Sequence, residues 1–218
     1  MSININKMID HTILKPVATE ADIEKLCREA IENDFASVCI NPCNIPVAKK
    51  ILDGSDVKIC TVVGFPLGAN TITMKAVETA EAYDMGADEF DMVINIGALK
   101  DGKYDYVRDD IAAVVAAAKG KCVKVIIEAG LLTDDEKVMA TKLSCEAGAC
   151  FVKTSTGINT TGATVADVAL MKANCTEGVK VKAAGGIKTA EFAMALVEAG
   201  AERIGTSSGI AIAADLAK

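Results

Sequence analysis

The sequence contains a single histidine, His11, and no tryptophan among its 218 residues. With one histidine, a zinc site of the two-His-plus-Glu or three-His type cannot be built within one chain, so no metal site of that kind is expected. Aromatic residues make up only 4% of the chain, which argues against stacking surfaces for bases or sugars. None of the eight cysteines forms a C-x-x-C pair, and we interpret them as small hydrophobic residues in a reducing compartment.

Positive charge is also scarce, with 23 basic residues against 30 acidic ones and a net charge of −7. Because no basic run is present, we expect no nucleic-acid partner. No uncharged apolar stretch reaches 18 residues, so no membrane partner is expected. The first residues contain no long apolar segment of the kind found in signal peptides, and we therefore expect a cytoplasmic location.

Short apolar segments alternate with longer amphipathic ones along the whole chain. The apolar segments have the length and composition of buried parallel strands. The eight predicted strands are residues 8–12, 35–40, 58–63, 89–95, 123–128, 150–154, 179–183 and 202–205.

The segments between the predicted strands have helical periodicity and are rich in Ala, Glu, Lys and Leu. Among them are residues 20–33, 72–85, 106–119, 133–147, 164–173, 189–199 and 209–218. Thr133 and Glu136 have the spacing of a capping box, and Gly86, Gly148 and Gly200 are expected to end helices in the left-handed conformation.

Roughly eight strand–helix units of about 27 residues each favour a single α/β domain, residues 1–218, folded as a (β/α)8 TIM barrel. The alternative is a doubly wound open sheet. That fold usually has a glycine-rich turn after its first strand, and this sequence has none there. Glycines instead accumulate late in the chain, where many barrels bind phosphate.

Three of the predicted strands contain charged residues near their carboxyl ends, where barrel active sites lie. These residues are Asp91, Lys153 and Lys182. A single strand lysine is usually an edge residue, but two lysines at one level of consecutive strands favour function. Lys58 and Lys124 lie nearer the starts of their strands and are expected to face solvent or the lower layer of the barrel.

A pair of buried lysines suits imine formation with a carbonyl substrate. A lysine amine has an ordinary pKa of about 10.4 and must lose its proton before it can attack. Burial and a neighbouring cation both disfavour the charged form. The resulting iminium withdraws electrons and allows a neighbouring carbon–carbon bond to break without a metal, while Asp91 and the second lysine move protons.

Glycine-rich turns in the last two units predict an anion site. Gly185 and Gly186 lead into a helix, as do Gly205, Ser207 and Ser208, and backbone N–H groups at helix starts bind anions. Ordinary strand-to-helix turns also contain glycine pairs, so the phosphate interpretation depends on the two turns occurring together.

Several polar residues at strand ends are further candidates for the pocket. We expect Asp10, Thr12, Cys39 and Thr154 to line it. A nucleophilic role for Cys39 or Cys43 is open, although a lining role for Cys39 is favoured. His11 is either a rim residue or a structural hydrogen-bonding group, and Glu128 is expected to orient a lysine or bind a substrate hydroxyl.

Six motifs in order along the chain resemble the deoxyribose-phosphate aldolase family. They are MIDHT (8–12), SVCINP (37–42), EFDMVIN (89–95), FVKTSTG (151–157), VKAAGGI (181–187) and RIGTSS (203–208). The resemblance implies a class I aldolase that interconverts 2-deoxy-D-ribose 5-phosphate with D-glyceraldehyde 3-phosphate and acetaldehyde in nucleoside catabolism, without a metal or organic cofactor.

The resemblance also implies residue roles. Lys153 becomes the Schiff-base lysine, and Asp91 and Lys182 become its proton relay. The residues that fall where the family binds phosphate are Gly157, Gly185, Gly186, Ser207 and Ser208. Members of the family commonly pair, so a homodimer is expected.

Two departures from the family pattern concern the substrate. Ile158 stands where some members have a lysine beside the phosphate. The given sequence ends at Lys218 without the tyrosine-bearing tail of some members, so proton transfer at the enamine carbon is expected to use other groups or water. Two alternatives stay open: a Schiff-base aldolase for another sugar phosphate, and a non-catalytic sugar-phosphate-binding barrel.

Overall fold

The protein forms a closed barrel of eight parallel strands, as seen in a computed structural model that describes residues 4–216. Each strand pairs with its neighbours in the chain, and the first pairs with the last, which confirms the predicted (β/α)8 fold. The strands are β1 (Ile9–Ile13), β2 (Ser37–Ile40), β3 (Lys58–Val63), β4 (Glu89–Val93), β5 (Cys122–Ile126), β6 (Phe151–Lys153), β7 (Lys180–Ala184) and β8 (Ala201–Thr206).

Nine α-helices within the described residues cover the outside of the barrel. They are α1 (Glu20–Glu32), α2 (Ile45–Leu52), α3 (Ile72–Met85), α4 (Ile96–Lys100), α5 (Tyr104–Ala117), α6 (Asp134–Glu146), α7 (Val165–Asn174), α8 (Ala190–Glu198) and α9 (Gly209–Leu216). Helices α2 and α4 are short and were not among the predicted segments. The predicted last helix extended to Lys218, and its final two residues lie outside the described part of the chain.

Local signals in the sequence fix several helix ends. The capping box at Thr133 is present, because its hydroxyl accepts from the Glu136 amide and the Glu136 carboxylate accepts from the Thr133 amide. Gly86, Gly148 and Gly200 have φ values of +112°, +85° and +114°, in the left-handed region that glycine favours. These caps let each helix turn back directly into the next strand.

Aliphatic side chains fill the space between barrel and helices. Residues of β2, β4 and β5 such as Val38, Phe90 and Val125 are fully buried and pack against helix residues such as Ile23 and Ile111. Burial on both sides explains why the strands are continuously apolar, and why charged residues within them are informative.

Within residues 4–216, none of the helices has the length and apolar character needed to span a membrane.

Candidate active site

Seven charged side chains meet in the interior of the barrel and form what we call the ion cluster. Three are carboxylates and four are cations, so the cluster contains one surplus positive charge when all seven are ionised. They are Asp10, Glu89, Asp91, Lys124, Lys153, Lys182 and Arg203.

One oxygen of Asp91 connects the two lysines that the sequence singled out. Lys153 and Lys182 lie directly opposite each other on β6 and β7. The Lys153 Nζ donates to Asp91 Oδ2 at 2.8 Å, and the Lys182 Nζ donates to the same oxygen at 2.6 Å. The predicted juxtaposition of these two lysines is therefore present in the fold.

Further ion pairs within the ion cluster hold Lys182 and Asp91 in position. Lys182 also donates to Asp10, at 2.5 Å, and Arg203 donates to the other oxygen of Asp10 at 2.7 Å. Arg203 reaches Glu89 at 2.9 Å as well. The two carboxylates that contact Lys182 are thus each fixed by a second cation.

Lys124 belongs to the ion cluster, which sequence reasoning missed. Lys124 on β5 is in register with Asp91 on β4. Its fully buried Nζ lies 2.9 Å from Asp91 Oδ1 and 2.6 Å from Glu89. Lys58, by contrast, is exposed as expected. The period-two alternation of β5 could have placed Lys124 inside, since neighbours Val123 and Val125 both face the helices.

The pKa values of Asp91 and Lys182 are both shifted within the ion cluster. Burial by itself raises the pKa of Asp91, but Lys124, Lys153 and Lys182 outweigh it and lower that pKa well below its usual value. Burial likewise lowers the pKa of Lys182, but Asp10 and Asp91 outweigh it and the net pKa is raised. Both groups are therefore charged at neutral pH.

A cavity of about 540 Å³ opens at the carboxyl ends of the strands, between β1, α1 and the last three strands. Of the ion cluster, Lys153 is the member that lines it, with 4% of its side chain exposed. The remaining walls come from residues 11–16, 156–158, 184–188 and 205–207 and from one face of α1. An amine thus reaches a small-molecule cavity while its charge partners stay buried beneath it.

Most of the predicted anion-binding residues line the same cavity. They are Gly157, Gly185, Gly186, Gly205 and Ser207. Ser208 does not line it, and its N–H donates to the hydroxyl of Thr206 at 2.9 Å. Gly205 has a second role, because a Cβ there would lie 3.1 Å from the Cε of Lys182.

Glycines hold two of the lining loops against each other, backbone to backbone. Gly157 and Gly162, on the segment after β6, both contact Gly185, which follows β7. A Cβ on Gly162 would lie 2.3 Å from the carbonyl oxygen of Gly185, and all three residues have positive φ. Gly162 was not singled out from the sequence, because a close approach between loops leaves no local signal.

The expected pocket-lining residues divide into two groups. Thr12 lines the cavity, whereas Asp10, Cys39 and Thr154 do not. All three are fully buried: Asp10 belongs to the ion cluster, and Cys39 packs against Cys60 and Val62 inside the barrel. Thr154 exchanges hydrogen bonds with the backbone of Ala184, so it joins β6 to β7 rather than facing the cavity.

The remaining three candidates from the sequence are His11, Cys43 and Glu128. His11 is at the cavity edge, but its Nε2 lies 2.9 Å from Glu29 and its ring packs against Phe35. Cys43 is exposed on the segment after β2. Glu128 contacts no lysine of the ion cluster, since its oxygens accept from residues 156–160.

Two groups of side chains bring metal-ligand atoms within 4.8 Å of one another, namely Cys39, Cys60 and Asp91, and Asp10, Cys60 and Glu89. The carboxylates of both groups belong to the ion cluster. The Lys124 Nζ already lies 3.1 Å from the Cys60 sulfur and 2.9 Å from Asp91. Because lysine ammonium groups occupy the positions between these ligands, the geometry fits ion pairing better than metal coordination.

The chain is similar to known aldolases over nearly its whole length. The model of the DeoC/LacD family aldolase matches residues 5–215. A deoxyribose-phosphate aldolase of Streptococcus suis is 62% identical over 208 residues, which cover 95% of this chain and 94% of the relative. The corresponding protein of Enterococcus faecalis is 61% identical over 209 residues, covering 95% of both chains.

A solved structure shares the fold closely. The deoxyribose-phosphate aldolase of Aeropyrum pernix, described as a tetramer, superposes with a TM-score of 0.92 at 34% identity. The match covers 98% of this chain and 91% of that one. From the family match, the identity to these relatives and the shared barrel, it follows that this chain belongs to the DeoC/LacD family of aldolases.

Proposed function

We propose that this chain is a class I deoxyribose-phosphate aldolase, which cleaves 2-deoxy-D-ribose 5-phosphate to D-glyceraldehyde 3-phosphate and acetaldehyde, reversibly. The observation that carries the proposal is the position of Lys153. Its amine reaches the cavity while its charge partner, Asp91, is shared with a second lysine. The relatives from Streptococcus suis and Enterococcus faecalis are named for this activity.

Imine formation begins with the neutral amine of Lys153. The amine attacks the C1 aldehyde of the open-chain sugar, and a proton moves from nitrogen to oxygen to give a carbinolamine. Protonation of the carbinolamine hydroxyl and loss of water then leave an iminium.

Carbon–carbon cleavage uses the iminium as the electron acceptor. The C3 hydroxyl loses its proton, the C2–C3 bond breaks, and its electron pair moves toward the iminium to form an enamine. D-glyceraldehyde 3-phosphate leaves. Protonation of the enamine at C2 and hydrolysis of the new iminium release acetaldehyde and return the free amine of Lys153.

Asp91 and Lys182 are proposed to move protons in these steps. Lys182 is fully buried behind Lys153, and both lysines donate to Asp91 Oδ2. A proton held by Lys182 can therefore reach the reacting nitrogen through that oxygen. Asp10 keeps Lys182 charged, so a proton is available at neutral pH.

The substrate phosphate is proposed to bind against the glycine-lined wall, at Gly157, Gly185, Gly186, Gly205 and Ser207. These residues place backbone N–H groups and a hydroxyl beside the cavity without intervening side chains. Ser208 has its N–H engaged by Thr206, so its contribution in this proposal is limited to its side chain.

A product assay tests the proposed activity directly. The purified chain is incubated with 2-deoxyribose 5-phosphate in EDTA, the reaction is stopped, and the acetaldehyde released is measured by chromatography. We expect acetaldehyde and D-glyceraldehyde 3-phosphate in equal amounts. Cleavage of a different sugar phosphate but not of this one would assign another substrate, and dependence on added zinc would overturn the Schiff-base mechanism.

The proposal includes the setting of the enzyme. We propose that residues 1–218 form one domain, that the protein is cytoplasmic and that it forms a homodimer. Eight free thiols suit a reducing compartment. Exposed Leu67, Met74 and Val77, on and before α3, suit a contact between copies. Sedimentation of the purified chain tests the dimer, and a monomer at micromolar concentration would contradict it.

A further inference from the structure

Glu128 is a fully buried carboxylate just beyond the end of β5, and the proposed mechanism does not use it. Its backbone is in the left-handed region, with φ +54° and ψ +58°, which is unfavourable for a residue other than glycine. A buried carboxylate without partners is costly. Both the backbone conformation and the burial therefore require compensation from contacts that this side chain makes.

The compensation comes from one short segment, residues 156–160, which follows β6. The hydroxyl of Thr156 donates to Oε2 of Glu128 at 2.5 Å, and the Thr156 amide lies 3.3 Å from both oxygens. Asn159 donates its side-chain amide to Oε2 at 3.3 Å, and Thr160 donates its hydroxyl to Oε1 at 3.1 Å. All of these donors are neutral groups, so the carboxylate orders a loop rather than pairing with a cation.

Thr156 connects Glu128 to Gly157, which lines the cavity. While its hydroxyl donates to Glu128, the same oxygen accepts from the amide of Ile158 at 3.1 Å. Gly157, which has a φ of +78°, lies between these two residues and therefore within a hydrogen-bonded turn. Asn159 also donates to the carbonyl of Pro66, which ties the segment to the loop after β3.

Gly157 in turn packs on the second lining loop. A Cβ on Gly157 would lie 3.3 Å from the Cα of Gly185, and the amide of Ala163 donates to the Gly185 carbonyl at 3.1 Å. A shift of residues 156–160 would therefore move both glycine-rich walls. Lys153 lies on β6, before this segment, and is held by Asp91 instead.

From these contacts we propose that Glu128 is a positioning residue for phosphate recognition: it fixes the segment 156–160 so that Gly157 and Gly185 present the backbone wall that binds the substrate phosphate. The inference rests on the proposed function for its substrate. Glu128 neither lines the cavity nor hydrogen-bonds to the ion cluster, so its effect is on binding of the phosphorylated end and not on imine formation.

The main test compares the parent with Glu128→Gln, a change of equal size that removes the charge and half of the accepting capacity. We expect KM for 2-deoxyribose 5-phosphate to rise about tenfold, which corresponds to loss of one charge-assisted hydrogen bond. We expect kcat to stay within about twofold, and kcat/KM for unphosphorylated 2-deoxyribose to be unchanged. Borohydride trapping with acetaldehyde, which carries no phosphate, serves as the control and should proceed at the parent rate.

A second pair of variants keeps Glu128 and tests the donors. Thr160→Val removes one hydroxyl donor at constant volume and should raise KM for the phosphorylated substrate about threefold. Thr160→Ser restores the hydroxyl and should return KM toward the parent value. If Glu128→Gln does not fold, this pair still tests the positioning role of Glu128, because each variant makes a smaller change to the same contact.

The outcomes are separable from failure of the proposed function. If the parent itself neither cleaves 2-deoxyribose 5-phosphate nor traps acetaldehyde, the proposed function fails. If the parent is active but Glu128→Gln or Thr160→Val changes both substrates equally, Glu128 supports only the fold and the inference is overturned. Slower acetaldehyde trapping at an unchanged KM would also overturn it, because the defect would then lie at Lys153.

Discussion

Lys153 and Lys182 face each other across β6 and β7 and donate to the same oxygen of Asp91, at 2.8 and 2.6 Å. The two ammonium groups therefore share one negative charge, and only Lys153 of the pair lines the cavity. Lys182 has a second carboxylate, Asp10, whereas Lys153 is paired with Asp91 alone within residues 4–216. This asymmetry supports the proposed roles of Lys153 as the nucleophile and of Lys182 as the proton donor.

Removing Lys182 should slow turnover, because it takes away the proposed proton donor. Lys182→Met removes the ammonium group that shares Asp91 Oδ2 with Lys153. We expect the rate of cleavage of 2-deoxyribose 5-phosphate to fall about a hundredfold. Lys182→Arg, which keeps the charge, is the matched control; equal cleavage rates in parent and Lys182→Met would refute the proton-transfer role.

A side chain at Gly186 should weaken binding of the phosphorylated substrate. The residue has φ +75° and lines the cavity, and a Cβ would lie 3.1 Å from the Thr161 carbonyl. Gly186→Ala should raise KM for 2-deoxyribose 5-phosphate at least tenfold, with a much smaller effect on 2-deoxyribose. Gly178→Ala is the control, because Gly178 has a similar φ of +88° with open space around it; equal effects of Gly186→Ala on both substrates would assign a purely structural role.

Removing one partner of the buried ion pair between α3 and α5 should strongly lower the free energy of unfolding. Lys75 Nζ lies 2.5 Å from Asp110, both side chains are fully buried, and Lys75 also donates to the Val93 carbonyl at the end of β4. Lys75→Met leaves a buried carboxylate unpaired and should cost about 3–5 kcal/mol of unfolding free energy.

The double variant Lys75→Met/Asp110→Leu tests whether charge is the cause. It removes both ions and should recover most of the lost stability. Urea unfolding followed by circular dichroism measures all three proteins. A loss below about 1 kcal/mol in Lys75→Met, or no recovery in the double variant, would contradict a loss of stability caused by an unpaired buried charge.

The ion cluster also predicts how stability depends on pH. The folded pKa values of Asp10 and Asp91 lie well below the unfolded value of about 3.9, so their contribution is present above that value and is lost as pH falls toward the folded values. The free energy of unfolding should therefore decrease below about pH 4. For Lys124 and Lys182 the folded pKa is raised, so their contribution persists below about 10.4 and is lost as pH rises further.

Asp10→Asn isolates one of these groups. The difference in urea midpoint between parent and variant should be largest near pH 6 and should shrink toward pH 3, because the unfolded parent takes up a proton on Asp10 below about pH 3.9 and is stabilised, whereas the unfolded variant is not. A difference that stays constant between pH 3 and pH 6 would show that Asp10 stabilises the fold through packing rather than through charge.

The sequence predicted the barrel and the central residues because their signals are local. Lys153 and Lys182 stand out as charges in apolar strands, and β3 (Lys58–Val63) and α3 (Ile72–Met85) have the predicted bounds. Helices α2 and α4 were missed because five to eight residues contain too few turns to establish a helical period.

The missed site residues depend on contacts between distant segments. Lys124 joins the ion cluster only because β5 pairs with β4 in a register that places it beside Asp91. Gly162 matters because two loops meet there. Glu128 was a candidate from the sequence, but its contacts were not predicted because its partners lie about 30 residues further along the chain. Such relationships arise from closure of the barrel and leave no spacing pattern in the sequence.

The identity of the nucleophile can be measured most directly by reducing the parent with borohydride in the presence of acetaldehyde and mapping the modified residue by mass spectrometry. We expect a single ethyl adduct on Lys153, and we expect Lys153→Met to show no adduct at any pH. Lys182→Met, which keeps the nucleophile, should still give the adduct on Lys153. An adduct on Lys182 or Lys124, or trapping that survives in Lys153→Met, would contradict the assignment of Lys153 as the Schiff-base residue.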